Sequence, residues 1–490
     1  MLERSVFQNI SPLDHRYSIS EKEIFDAVSA WLSEEASIHA CLKAEAALVA
    51  AHLRVRGKLD ETARRQLDEA LNSVTPEEVY AEEEKTHHNI RALVNVLKKK
   101  MPDELNPLVH LGATSVDILD TSLAYRMKGV TDAVTLPALR KLELQLCDFA
   151  EREAKTPQVG RTHGQHAVPI TLGFAIAEYV SRLGKSILEI KRLSGSLKGK
   201  LAGAVGAYNA VSMISRDPQE LERIYLAELG LEPSEHSTQL VEPEYLLRLL
   251  LEMNIAFGII ANLADDLRHL QRSEIAELRE GFAGEQVGSS TMPQKRNPWN
   301  SEHVKSLWKA FMPRVISFYM DQISEHQRDL SNSASQRFIA EYVCGFCMAV
   351  SRMSGVIENI DVDRDRMMLN LNGGAGKGAG GVMAEPAYIL LAESGLGDAH
   401  EVIRRITLAA EKENLSFSQA LRREEGVWRR IGGKMRELGL INDISETLPF
   451  FENPSRYCGL SAQKAITIAA KYRTLMYPPA PTSGFTCAPR

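Results

Sequence analysis

Three polar stretches of this chain carry residues able to move a proton or hold an anion. The first is His110-Leu-Gly-Ala-Thr-Ser-Val-Asp117, with the adjacent hydroxyls Thr114 and Ser115. At the start of a helix, two hydroxyls and two backbone N–H groups form a cradle for a carboxylate or phosphate; the same residues also suit a plain helix cap. The second is Gly160-Arg-Thr-His-Gly-Gln-His166. His163 and His166 lack an HExxH pattern and a closely spaced Cys, Asp or Glu that would complete a metal set. Proton transfer near neutral pH is the better chemistry for them, with one of the two left for a structural role. The third is Gly284-Glu-Gln-Val-Gly-Ser-Ser-Thr-Met-Pro-Gln-Lys-Arg-Asn-Pro298, a proline-closed loop holding two serines, a Lys–Arg pair and an asparagine. A loop this long between helices generally has a task of its own.

The stretches interrupt long helical patterns that must position them. Apolar residues recur at steps of three and four through Leu172, Ile176, Tyr179/Val180, Leu183, Ile187 and Ile190. They do so again through Leu246, Leu249/Leu250, Met253, Ala256/Phe257, Ile260, Leu263 and Leu267. A third run is Val304, Leu307/Trp308, Phe311/Met312, Val315/Ile316, Tyr319 and Ile323, and a shorter one is Leu139, Leu142, Leu146 and Phe149. Such periodicity predicts amphipathic helices of about 20–30 residues, roughly 30–45 Å long. Strand signals are sparse. The expectation is an all-α fold with a central bundle of long, near-parallel helices. The apolar stripes are wide enough to need several neighbours, some of them from other subunits.

Two breaks rich in Gly, Pro and small polar residues, at 101–115 and 369–386, divide the chain into three expected regions. These are an N-terminal helical domain (1–112), a central bundle (113–365) and a C-terminal helical domain (366–490) that ends in a disordered tail. The 490 residues include 58 Lys plus Arg and 64 Asp plus Glu, a formal charge of −6. A net acidic chain is a poor match for nucleic acid, though a few local cations can hold a small anion. The apolar stretch Met253 to Ala264 is short of the ~20 residues a bilayer crossing takes, and no secretory signal opens the sequence. Six scattered cysteines suit a reduced, cytoplasmic setting. Cys344 and Cys347 form a CxxC in an apolar, helix-like run, where two buried thiols are expected rather than a redox or zinc site.

The motifs themselves resemble a known group of enzymes. Gly288-Ser-Ser-Thr-Met-Pro-Gln-Lys-Arg-Asn-Pro298 resembles the signature loop of the fumarase/aspartase superfamily of lyases. His110 to Thr121 and Gly160 to Gly173 resemble its two other conserved stretches, in the same order and spacing. Within that superfamily, Ser11-Pro-Leu-Asp-His-Arg-Tyr17, Thr238-Gln239, Arg328 to Arg337 and Asn453 to Gly459 are similar to the adenylosuccinate lyase family. The resemblance extends from about residue 11 to 465. It implies a three-domain, all-α chain whose central five-helix bundles associate into a homotetramer, each active site drawing on three subunits. The implied reaction is β-elimination of fumarate from adenylosuccinate, giving AMP, and from the succinylated aminoimidazole carboxamide ribotide of purine biosynthesis. The implied partner is a succinylated purine nucleotide. No metal and no organic cofactor are implied.

The resemblance also distributes roles. Ser289 corresponds to the general base, with Ser290 as the runner-up. His163 corresponds to the general acid, Glu302 to the carboxylate that orients it, and His88 to a second histidine near the substrate. Lys295 and Asn297, with Thr114 and Ser115, face the charge that builds on the substrate carboxylate, the term expected to dominate catalysis. Gln239 holds the substrate through its amide. Arg16, Tyr17, Arg328, Ser333 and Arg337 correspond to the phosphate site, where the guanidinium fork donates twice. Ser333 and Arg337, four apart, share a face if the segment is helical. A serine serves as a base only where its alkoxide is stabilised and water excluded, so the loop is expected to close over substrate.

Some positions depart from the family pattern. His88-Asn89 stands where His-Asp is usual, His15 where Gly is common, and His303 where some members carry Arg. The glycine run 373–381 is longer than usual and reads as a hinge, since it lacks the strand and GK[ST] ending of a phosphate loop. Two alternatives stay open on the sequence alone: another fumarate-releasing lyase such as argininosuccinate lyase, or a catalytically retired structural homologue.

Overall fold

The computed structural model describes residues 5–282, 290–329, 331–373 and 380–477. The expected C-terminal tail and most of the glycine run lie outside these residues. Eight helices supply much of the frame: α1 (Glu34–Val55), α2 (Asn89–Lys100), α3 (Ser115–Val130), α4 (Leu136–Arg152), α5 (Leu172–Ser194), α6 (Glu244–Leu270), α7 (Trp299–Phe311) and α8 (Ile339–Glu358). The fold is all-α in character. Among the described residues, β-structure is limited to three two-stranded pairs. Only one of these is substantial, the antiparallel hairpin of β1 (Pro157–Thr162) and β2 (Gln165–Thr171).

The periodic residues behave as their spacing requires. Leu139, Leu142, Leu146 and Phe149 on α4 are buried, as are Leu172, Ile176, Leu183, Ile187 and Ile190 on α5. Met253, Ala256, Phe257, Ile260 and Leu263 on α6 are buried too. Removing each such Leu, Ile, Met or Phe side chain from water contributes about 1.5–3 kcal/mol, and that burial rather than helix propensity holds the helices. By length and composition α6 could cross a bilayer, because Arg248 and Glu252 are few enough to be tolerated, yet 56% of its apolar window is buried within the protein.

The third apolar run is not one helix. α7 stops at Phe311, and a separate short helix runs from Arg314 to Met320. Pro313 sits at the break; it has no N–H to give and its ring clashes with a continuing helix. Downstream of it Ile316, Tyr319, Met320 and Ile323 are exposed.

The chain divides into two compact units. Unit 1 comprises Met1–Arg140, Lys185–Gly258 and Ser306–Arg352; unit 2 comprises Lys141–Gly184, Ile259–Lys305 and Met353–Arg490. The divisions fall inside α4, α5, α6, α7 and α8. Within unit 1, Phe257 packs on Phe346 with ring centroids 5.3 Å apart, and the Tyr342 hydroxyl donates to the Leu250 carbonyl at 3.3 Å. Cys344 and Cys347 are both buried thiols on α8, and burial pushes Cys347 up to about 11. That is the inert pair the sequence predicts. Within unit 2, residues Met383 to Phe451 supply a separate apolar core, with Phe417, Leu421, Ile431 and Met435 almost wholly enclosed.

Candidate active site

Unit 1 assembles one group of the expected residues around the start of α3. Thr114 is the N-cap of α3, in a capping box with Asp117. One oxygen of Asp117 accepts the Thr114 N–H at 2.8 Å. The other accepts from the Lys200 ammonium and from the N–H groups of Ala202 (3.1 Å) and Gly203 (3.3 Å). Asp117 and Lys200 are both fully buried. A buried carboxylate persists only when its lone pairs are filled this completely. The pair fastens the Thr114–Ser115 hydroxyls to the 200–206 segment. Gly206, at φ +77°, then presses against the next segment: a Cβ there would lie 1.8 Å from the Ser237 carbonyl oxygen. Gln239 follows two residues on, its N–H donating to the Gln327 carbonyl at 3.3 Å, next to Arg328.

His88 joins this group. It caps α2, and its Nδ1 accepts the Arg91 N–H at 3.2 Å. That bond leaves the proton on Nε2, which donates to Ser115 Oγ at 3.4 Å. The preceding His87 has a left-handed backbone (φ 50°) and ends the helix before it, so the chain turns sharply at the pair. Arg328 donates to the Asn332 carboxamide oxygen at 2.7 Å. Ser333 precedes a 3₁₀ turn, Ser335–Phe338, that carries Arg337. The two do not share an α-helical face, because α8 starts only at Ile339; both are exposed. Arg16 and Tyr17 open a short helix behind the Pro12–Asp14 turn. Burial raises the Tyr17 phenol above its usual range, opposed by the charges of Arg352 and Arg16.

Unit 2 holds a second group on the β1–β2 hairpin and the loop before α7. His163 and Gly164 are the two turn residues, at φ 53° and φ 73°, with Thr162 paired to Gln165. Two successive positive φ angles make the tight turn whose twist matches the strands. The turn puts His163 at the exposed tip. Glu277, fully buried, secures the base of the hairpin. It receives both Arg161 guanidinium nitrogens (2.5 and 3.1 Å), the Gln158 amide (2.8 Å) and the Asn370 amide (2.9 Å). His166 pairs across from Arg161; burial, then the arginine's charge, lowers its pKa. It faces a groove of about 1040 Å³ with Arg161, Arg182, His269 and Lys464 on its walls.

Lys295 lies exposed in the loop that leads to Pro298 and α7, with Asn297 less exposed beside it. Glu280 fixes the far end of this loop by accepting the N–H groups of Asn300 (3.2 Å) and Ser301 (2.7 Å) at the α7 N-terminus. Glu302 is exposed in the first turn of α7. Among the described residues no hydrogen bond or ion pair joins it to His163. Ser289 lies outside the described residues; Ser290 lies within them and is exposed.

Sequence reasoning missed the supports. Asp117 had a visible signal, the Thr-x-x-Asp spacing of a capping box. Lys200, Glu277 and Glu280 had none, since their partners lie far away along the chain.

A family described as Lyase matches residues 12–310, and one described as Adenylosuccinate lyase C-terminal matches residues 324–442. The adenylosuccinate lyase of Pyrococcus abyssi is 33% identical over 85% of this chain and 90% of its own length. The chain belongs to the adenylosuccinate lyase family. The relative from Pyrococcus horikoshii is 34% identical over 83% of this chain and 88% of its own. A 3-carboxy-cis,cis-muconate lactonizing enzyme from Pseudomonas putida, at 24% identity, superposes with a TM-score of 0.77 over 91% of this chain and 97% of its own. That likeness bears on the fold, which this family member shares with the wider group.

Proposed function

We propose that copies of this chain share active sites in which Ser289 and His163 remove fumarate from a succinylated purine nucleotide. The protein is an enzyme, a carbon–nitrogen lyase whose substrate is adenylosuccinate. By the same chemistry it would cleave the succinylated aminoimidazole carboxamide ribotide. The observation that carries this reading is the identity to adenylosuccinate lyases over most of the chain, including the matched C-terminal region at 324–442. The exposure of His163, Glu302, Ser333 and Arg337 in one copy supports a site completed by others, in a homotetramer working in the cytoplasm.

In this chemistry the Ser289 alkoxide takes the proton from the succinyl carbon β to the departing nitrogen. Electrons move onto the adjacent carboxylate, and Lys295, Asn297, Thr114 and Ser115 donate to the charge that forms there. The C–N bond breaks as the electrons return to form the double bond of fumarate. His163, oriented by Glu302, gives its proton to the leaving nitrogen. His88 and Gln239 hold the substrate, and Arg16, Tyr17, Arg328, Ser333 and Arg337 hold its phosphate. To this elimination the chain's own residues contribute proton transfer, charge stabilisation and substrate binding.

The test is ultraviolet absorbance of adenylosuccinate mixed with purified protein and no added cofactor, with argininosuccinate in parallel. AMP and fumarate should appear in equal amounts. Release of arginine instead, or no AMP at all, would overturn the reading.

A further inference from the structure

We propose that Asp120 is a positioning residue for substrate binding, holding the segments that carry Gln239 and Arg328 in register with the hydroxyl cradle at the start of α3. The inference rests on the proposed roles of Gln239 and Arg328. Asp120 lies on α3, five residues beyond Ser115. Its Oδ2 accepts the N–H of Val241 at 2.9 Å. Among the described residues, Val241 is the only donor bonded to this carboxylate. Val241 is two residues from Gln239, whose own N–H is bonded to the Gln327 carbonyl. One carboxylate on a rigid helix therefore sets where an otherwise irregular segment runs, and that segment in turn meets the chain beside Arg328.

The setting explains why the group is an acid. Asp120 lines a cavity of about 80 Å³ whose walls are mainly Leu123, Leu197, Leu240, Leu247, Leu250 and Phe318. In such walls an unbonded N–H would cost about 1–3 kcal/mol, so the Val241 amide needs an acceptor. Lys200 and Arg328 face the carboxylate and favour its charge, while Asp117 on the same helix opposes it. The other charged or titratable groups on the cavity wall are Lys198, Glu242, Tyr245 and Asp321. Lys198 pairs with Glu232, Glu242 accepts from Ser234, and Asp321 accepts from Ser335. Burial pushes the Asp120 carboxyl up to about 6. Above that pH it is ionised and attracts the Arg328 segment; below it the attraction is lost.

Two variants test the assignment. Asp120→Leu removes both acceptor and charge; Asp120→Asn keeps an acceptor of the same size and cannot titrate. With adenylosuccinate at pH 7.5, Asp120→Leu should raise KM about tenfold with kcat within threefold, and Asp120→Asn should restore most of the KM. Between pH 7 and 5.5 the wild-type KM should rise, and the Asp120→Asn profile should lack the part of that rise that Asp120 contributes. A wild-type KM in Asp120→Leu, or parallel pH profiles in wild type and Asp120→Asn, would overturn the proposal. If the leucine variant does not fold, the asparagine pH profile alone decides. Absence of turnover in the wild type would instead sink the functional reading, so the two failures are told apart.

Discussion

Replacing Glu143 by glutamine should stabilise this protein, and do so more as pH rises. Glu143 lies on α4, fully buried, and among the described residues neither of its carboxylate oxygens has a hydrogen-bond partner. Its surroundings are tight: a Cβ on Gly184 would lie 2.7 Å from Oε1 and 2.2 Å from a Tyr472 ring carbon. Burial pushes the carboxyl from its ordinary 4.5 up to about 9. Between those two values the folded chain keeps a proton that the unfolded chain has released. The stability this group contributes is complete below pH 4.5, falls through the window at about 1.4 kcal/mol per pH unit, and is gone above pH 9. At pH 7 the loss amounts to about 3 kcal/mol. Glutamine has the same shape and stays neutral, though its amide donors remain unbonded at a cost of about 1–3 kcal/mol. The net gain at one pH is therefore smaller than the change with pH. The assay is Tm against pH from 6 to 8.5, by calorimetry, at one protein concentration. The wild-type curve should fall relative to the variant's. Parallel curves would refute the reasoning, because they would mean that Glu143 holds the same proton in both states.

Other expectations concern the site. Ser289→Ala should lower kcat by at least about a hundredfold while substrate still binds by calorimetric titration; near-normal turnover would remove Ser289 from the role. Arg337→Ala should raise KM by about tenfold and leave kcat much less changed, as loss of a phosphate contact does. Asp117→Ala leaves the Lys200 ammonium buried without its counter-charge. It should cost about 3–5 kcal/mol in urea unfolding, and the double change Asp117→Asn with Lys200→Met should recover part of that. Gly164→Val forces a β-branched residue into a positive φ at the hairpin turn. It should lower kcat while the circular dichroism spectrum of the helices stays unchanged.

The helices were legible because each buries one side, and burial imposes a period of three and four that Leu139, Ile176 or Phe257 displays directly. The break at Pro313 was legible in principle, but the apolar residues beyond it mimic a continuing stripe; Ile316 and Tyr319 keep the spacing without being buried. The hairpin was read only as a polar loop. β1 and β2 contain Arg161, Thr162, Gln165 and His166 and stand half exposed, so no alternating pattern marks them. What shapes them is Glu277, more than a hundred residues downstream of the turn in sequence. The motif residues of the proposed site were named from their resemblance to the family. The buried carboxylates that hold them, Asp117, Glu277 and Glu280, depend on partners brought close only by folding.

The turn at His163 and Gly164 works as a ruler graduated in residues. Adding one residue between Thr162 and Gln165 would slide one strand past the other by a single step and swap its inward and outward sides. Arg161 would then lose its seat on Glu277, and the imidazole would be displaced by about 3.3 Å along the strand, more than the length of a hydrogen bond. Lengthening this hairpin therefore cannot be a neutral event, whereas a loop that carries no site residue loses only a little closure entropy when it gains one.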